Sequence, residues 1–199
     1  MPESSTSLAD LMDELRRAIE ADVAAGFYDD YEVVERAVDC FSDEVDPAEL
    51  EPVAERLTAA AFEAHARAQA TWPAVTDCDR LDAAFAELER RGIVARQNFS
   101  CCMNCGTSEI WGEVADAQAE GRVIHGCTFY HEQDTQRAAE GGGVFLAFQA
   151  SEEGDQAAVR VGREIVDVLR AHGLSPEWTG TADRRIDVPL DWKRRRALD

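Results

Sequence analysis

Apolar positions in the first 75 residues recur every three or four places, the period of an α-helix with one buried stripe. Leu8, Leu11, Met12, Leu15 and Ile19 form the first stripe, with Ser7 placed to cap it and Gly26 to end it. Val33, Val34, Ala37, Val38 and Phe41 form a second, closed ahead of Asp46-Pro47. That dipeptide sets a capping carboxylate before a proline, which suits a first helical turn. Pro52 is expected to restart the helix, which then runs through Val53, Leu57, Ala61 and Ala64 to Trp72-Pro73. These stripes read as core and carry no chemistry.

From Thr76 the pattern changes. Thr76 or Asp77 caps a helix whose Leu81, Ala84, Phe85 and Leu88 share one face, Gly92 ends it, and 93–99 reads as a strand. After a cysteine-rich turn, Thr107 or Ser108 is expected to cap a helix through Ala119. The stretch 123–131 is a strand candidate, and Asp134 is expected to cap a short helical turn over 136–140. Val144-Phe145-Leu146-Ala147-Phe148 is uninterrupted and apolar, as in a strand covered on both faces. A helix over 156–172 and an edge strand through Ile186, Val188 and Leu190, marked by Pro189, complete the pattern. The expected fold is α+β: a helical N-terminal part followed by a small mixed sheet with flanking helices. The expected division is an acidic helical region, 1–75, and an α+β domain, 76–199.

Charge narrows the function classes. The chain of 199 residues carries 40 acidic against 20 basic side chains, a net of −20. Such a surface repels nucleic-acid phosphates and anionic lipid, whose binding needs clustered Lys and Arg. A helix, a glycine and a strand from Thr76 on would also suit the back half of a winged helix-turn-helix, but the same acidity argues against DNA. Solubility is the plainer meaning of the acidity, and a basic protein partner the sharper one. The short basic tail Trp192-Lys193-Arg194-Arg195-Arg196 is expected to pair with the protein's own acidic surface. The opening residues lack the apolar core of a signal peptide and no run reaches membrane-spanning length, which points to the cytoplasm. Thiols are reduced there, so closely spaced cysteines suggest metal binding or catalysis before a disulfide.

The chemistry concentrates between positions 101 and 134. Cys102-x-x-Cys105 has the spacing at which two thiolates on a tight turn meet one zinc ion, with Gly106 easing the backbone. On a strand, His125, Cys127, Phe129 and His131 share a face, so His125 with Cys127, or His131 alone, can complete a site. Inert buried thiols are the bland alternative. Thiol redox work is another, since a strand leads into the turn and a helix follows. A helix cap after Cys105 would leave Cys102 outside the first turn, and no cis-proline candidate faces the cysteines. His131-Glu132-Gln133-Asp134 offers an acid/base set, although capping is the plainer role of Asp134. Gly141-Gly142-Gly143 is a turn, and the isolated Cys40 and Cys78 are expected to pack in the core.

The string from Gly92 through Cys101-Cys102-x-x-Cys105-Gly106, with Phe129-Tyr130-His131-Glu132-Gln133-Asp134, resembles an uncharacterised bacterial family. Members carry a double cysteine, then Cys-Gly, then a Tyr/Phe-His-x-Gln-Asp string; the likeness covers roughly 76–196. It implies no activity. It does favour Cys101, Cys102, Cys105 and His131 as the metal ligands, with zinc as the ion. The expected function is a non-enzymatic binding or regulatory module built around that site. Its rivals are a thiol oxidoreductase or redox sensor using Cys102 and Cys105, and an acidic interaction module, such as a toxin neutraliser, with inert cysteines. Oligomeric state is left open by the sequence.

Overall fold

The structure is a computed structural model that describes residues 8–196. Its contacts divide the chain into two compact units: residues up to Trp72 together with those from Arg194, and Pro73–Lys193.

The first unit packs α1 (Leu8–Ala25), α2 (Asp30–Phe41) and α3 (Pro47–Gln69) around Leu11, Leu15, Ile19, Val23, Val33, Ala37, Phe41, Leu50 and Ala54. The apolar spacing of each helix therefore buries one stripe against the other two. Asp29 caps α2 in a reciprocal pair with Glu32, and the Asp46 side chain accepts from the Ala48 amide to cap α3. Ser7 lies outside the described residues. Helix α3 runs unbroken through Pro52, where a restart was expected. Proline there deletes one N–H bond, to the Ala48 carbonyl, while the turns on either side keep theirs. The expected division placed the C-terminal tail with the later domain, yet Arg194–Arg196 packs on the helices. Gln69 Nε2 donates to the Arg196 carbonyl (2.9 Å), and Gln69 Oε1 accepts from the Arg196 amide (2.8 Å).

The second unit contains α4 (Asp77–Arg91), β1 (Ile93–Arg96), α5 (Met103–Ala119), β2 (Gly126–Phe129), α6 (Glu132–Ala139), β3 (Val144–Ala150), α7 (Asp155–Ala171) and β4 (Ile186–Val188). The sheet order is β1-β2-β3-β4; β1 and β2 are parallel, and the other two pairs antiparallel. This is the expected α+β arrangement with a mixed sheet. Alternation along the strands assigns the faces. Val94, Cys127, Phe129 and Ala147 meet Ile110 and Val114 of α5, while Gly126 and Phe148 face α7. Gly126 is needed there, since a Cβ would stand 2.8 Å from the Val161 methyls.

The bounds of the elements around the cysteines and His131 differ from the sequence reading. Strand β1 stops at Arg96, because Asn98 and Ser100 adopt left-handed backbone (φ 51° and 64°) that leaves the sheet. Strand β2 spans only Gly126–Phe129. Helix α5 begins at Met103, four residues ahead of the expected cap, and α6 begins at Glu132, with His131 as its cap.

Candidate functional site

The β1–α5 connection leaves the carboxyl end of a parallel strand and enters a helix N-terminus, where backbone N–H groups point outward with a positive field. It is held firmly. The Phe99 amide donates to the Tyr130 carbonyl (2.8 Å), and the Glu132 amide donates to the Ser100 carbonyl (3.1 Å). Beneath it, the Tyr130 hydroxyl donates to Gln97 Oε1, Gln97 Nε2 to Asp82, and the Thr135 hydroxyl to Asn98 Oδ1. Left-handed non-glycine residues cost of order 1 kcal/mol each and persist where surrounding bonds over-determine them. Two of them, Asn98 and Ser100, stand immediately before the cysteines.

Cys102 is the N-cap residue of α5, and Cys105 lies in the first helical turn. The sulfur atoms of Cys101, Cys102 and Cys105 all lie within 4.8 Å of one another. Cys101 is exposed, and the other two are half-buried. The three thiols are not equivalent. The backbone N–H of Cys105, then the Cys105 and Cys101 thiols and the Asn104 N–H, hold the Cys102 thiol below its ordinary value. Cys105 is pushed up to about 11, since its proton is shared with Cys101 and Cys102 and a second negative sulfur would face the first. The turn therefore favours the thiolate at Cys102 and opposes a second one at Cys105.

His131, expected among the metal ligands, stands apart from the three sulfurs in this structure. It is 5% exposed. Its Nδ1 accepts from the Asp134 amide (3.4 Å), which assigns the ring proton to Nε2, 3.2 Å from the Asp134 carboxylate. Arg185 bonds that same carboxylate at 2.9 Å. Burial first, and then the Arg185 charge, lower the His131 pKa against the pull of Asp134. Asp134 does take part in capping, but from the third helical position, by accepting from the His131 amide. Arg185 was missed by the sequence reading; an arginine just ahead of an edge strand carries no signal of its own.

The other candidates disperse. His125 Nε2 meets Glu164 at 3.0 Å. Cys127 is buried among apolar side chains, and burial pushes its thiol up to about 12. Cys78 is buried as expected, whereas Cys40 is exposed on α2 and does not pack in the core.

Fold and site together define an α+β protein with a thiol cluster at a strand-to-helix turn. The chain belongs to the family described as domain of unknown function (DUF6891), whose model matches residues 8–196. The likeness to a family without assigned function therefore extends beyond 76–196 into α1. No curated protein and no solved structure matches the chain. Among the described residues, no helix is long and apolar enough to cross a membrane.

Proposed function

We propose that this protein is a metal-binding module that holds a soft divalent cation such as zinc through Cys101, Cys102 and Cys105. The observation that carries this reading is the convergence of three sulfurs within 4.8 Å at a helix N-terminus. Thiolates about 2.3 Å from zinc stand roughly 3.8 Å apart, so only a small closure of the turn is required. The cation also supplies the positive charge that Cys105 lacks, which couples binding to proton release. His131 is spoken for by Asp134 and Arg185, so the fourth position is filled by water or by a group that binding brings to it. An exposed site with one exchangeable position suits sensing or transfer of the ion better than a purely structural role.

The test is elemental analysis of protein purified under reducing conditions, followed by zinc titration against a chromophoric chelator. The wild type is expected to hold a stoichiometric ion, and Cys102→Ser and Cys105→Ser to lose it. His131→Asn is expected to keep it. Metal-free wild type that also fails to compete with the chelator ends the proposal. Loss of zinc in His131→Asn would put the imidazole among the ligands.

A second reading has its own support. With Cys102 at the cap and Cys105 three residues on, α5 begins where dithiol exchange needs it to, and the objection from a late helix start is removed. It predicts a Cys102–Cys105 disulfide on mild oxidation, seen as a loss of 2 Da that reductant reverses.

A further inference from the structure

We propose that the groove between α2 and α3 binds a basic segment of a partner protein, one that presents arginine or lysine side chains. The groove is a cavity of about 1120 Å³ within the helical unit. Val34, Val38 and Phe62 form its apolar floor, with the polar Thr58 among them. Glu35 and Asp39 of α2 and Glu51 and Glu55 of α3 rim it, with Tyr31 beside them.

Three independent observations specify the occupant. The rim carboxylates are paired with like charge: Glu35 and Asp39 are one helical turn apart, as are Glu51 and Glu55. Such i,i+4 pairs repel and weaken the helices that bear them. Arg195 also lines the groove, but none of the four carboxylates forms an ion pair among the described residues. The second observation lies on the floor. Thr58 is 2% exposed, and its hydroxyl has no hydrogen-bond partner among the described residues. A buried polar atom of this kind normally finds one. The third is an occupant already seated at one end. The Arg196 guanidinium donates to the carbonyls of Val23 (2.9 Å), Tyr28 (2.6 Å) and Asp22 (3.2 Å) and lies 4.5 Å from the Phe62 ring centre. The groove therefore accepts an arginine of a peptide chain by carbonyl bonds and an aromatic face. Tyr31, 70% exposed, offers a second such face further along.

The test measures binding of a fluorescein-labelled hexa-arginine peptide to the full chain by anisotropy at about 150 mM salt, where diffuse attraction to an acidic surface is screened. The fourfold variant Glu35→Gln/Asp39→Asn/Glu51→Gln/Glu55→Gln is expected to lose at least about tenfold in affinity while melting no lower than the wild type, because two repelling pairs are gone. A matched variant of the other unit, Asp116→Asn/Glu120→Gln/Glu153→Gln/Asp167→Asn, removes the same charge and is expected to change affinity by less than about twofold. Tyr31→Ala, at an exposed position that folding does not need, is expected to weaken binding several-fold. Cys102→Ser is expected to leave it unchanged, which separates this proposal from the thiol site. Equal losses in the two fourfold variants, unchanged binding in Tyr31→Ala, or no binding by the wild type would overturn it. Displacement of the peptide by spermine at equal charge concentration would also overturn it, since the groove would then take any polycation.

Discussion

Cys102 and Cys127 are the same residue type, yet their surroundings give them opposite reactivity. Cys102 sits where helix amides and neighbouring thiols favour the thiolate, whereas Cys127 sits in hydrocarbon that forbids it. Alkylation of metal-free protein with iodoacetamide near pH 7 should therefore label Cys102 faster than Cys105 and leave Cys127 untouched in the folded state. Peptide mass spectrometry of a time course reads this out. Added zinc should slow the Cys102 reaction if the ion takes that sulfur, and equal rates at Cys102 and Cys105 would contradict the asymmetry described here. The His131 cluster obeys similar logic with a different outcome. Its imidazole is committed by a carboxylate three residues on, and that carboxylate by an arginine 51 residues further on, so the near partner is visible in the chain and the far one is not.

At the scale of elements, helix α5 brings the thiols together, and its seat on the sheet depends on Gly106. A Cβ at that position would overlap the Phe129 ring, which is buried and packed edge-on against Phe99. Gly106→Ala should cost about 1–3 kcal/mol, as overpacking of a closed core does, and loosen the first turn that carries Cys105. Urea unfolding would measure the loss, and an unchanged midpoint would show that the ring has room to move. Helix ends show what the sequence does and does not disclose. Thr76 and Gly92 were legible because each bounds α4 in a common way, a hydroxyl accepting from the third amide and a glycine at φ 89°. The start of α5 was not. Thr107 and Ser108 looked like caps, but their hydroxyls donate back to the carbonyls of Met103 and Asn104 (2.8 and 3.1 Å) within a helix already under way. Cysteine is an uncommon cap residue, so nothing local announced Cys102 as the start of α5. The thiol spacing was readable from the chain. Which thiols gather depended on left-handed backbone at Asn98 and Ser100, which side-chain patterns do not encode.

At the scale of the whole molecule, the dominant quantity is the net charge of −20. Acidification relieves that repulsion, so a bare stability profile mixes several effects. A difference measurement isolates one of them. His131 has a folded pKa below its ordinary value of 6.5, so between that lowered value and 6.5 the unfolded chain binds more protons than the folded one. Its contribution is present in full above about pH 6.5 and is lost as pH falls below it. Asparagine also caps helices but does not titrate. The stability advantage of wild type over His131→Asn should therefore shrink from pH 7.5 to 5.5, measured by urea unfolding at each pH. A constant difference would mean that the imidazole titrates alike in both states. The chain path has a temporal consequence as well. Arg196 reaches back to carbonyls at Asp22, Val23 and Tyr28, some 170 residues earlier, across the whole α+β unit. During synthesis the three-helix bundle emerges first but waits, unclasped, until residue 196 has cleared the ribosome. Through that interval the groove stands without the arginine that seats at one end of it.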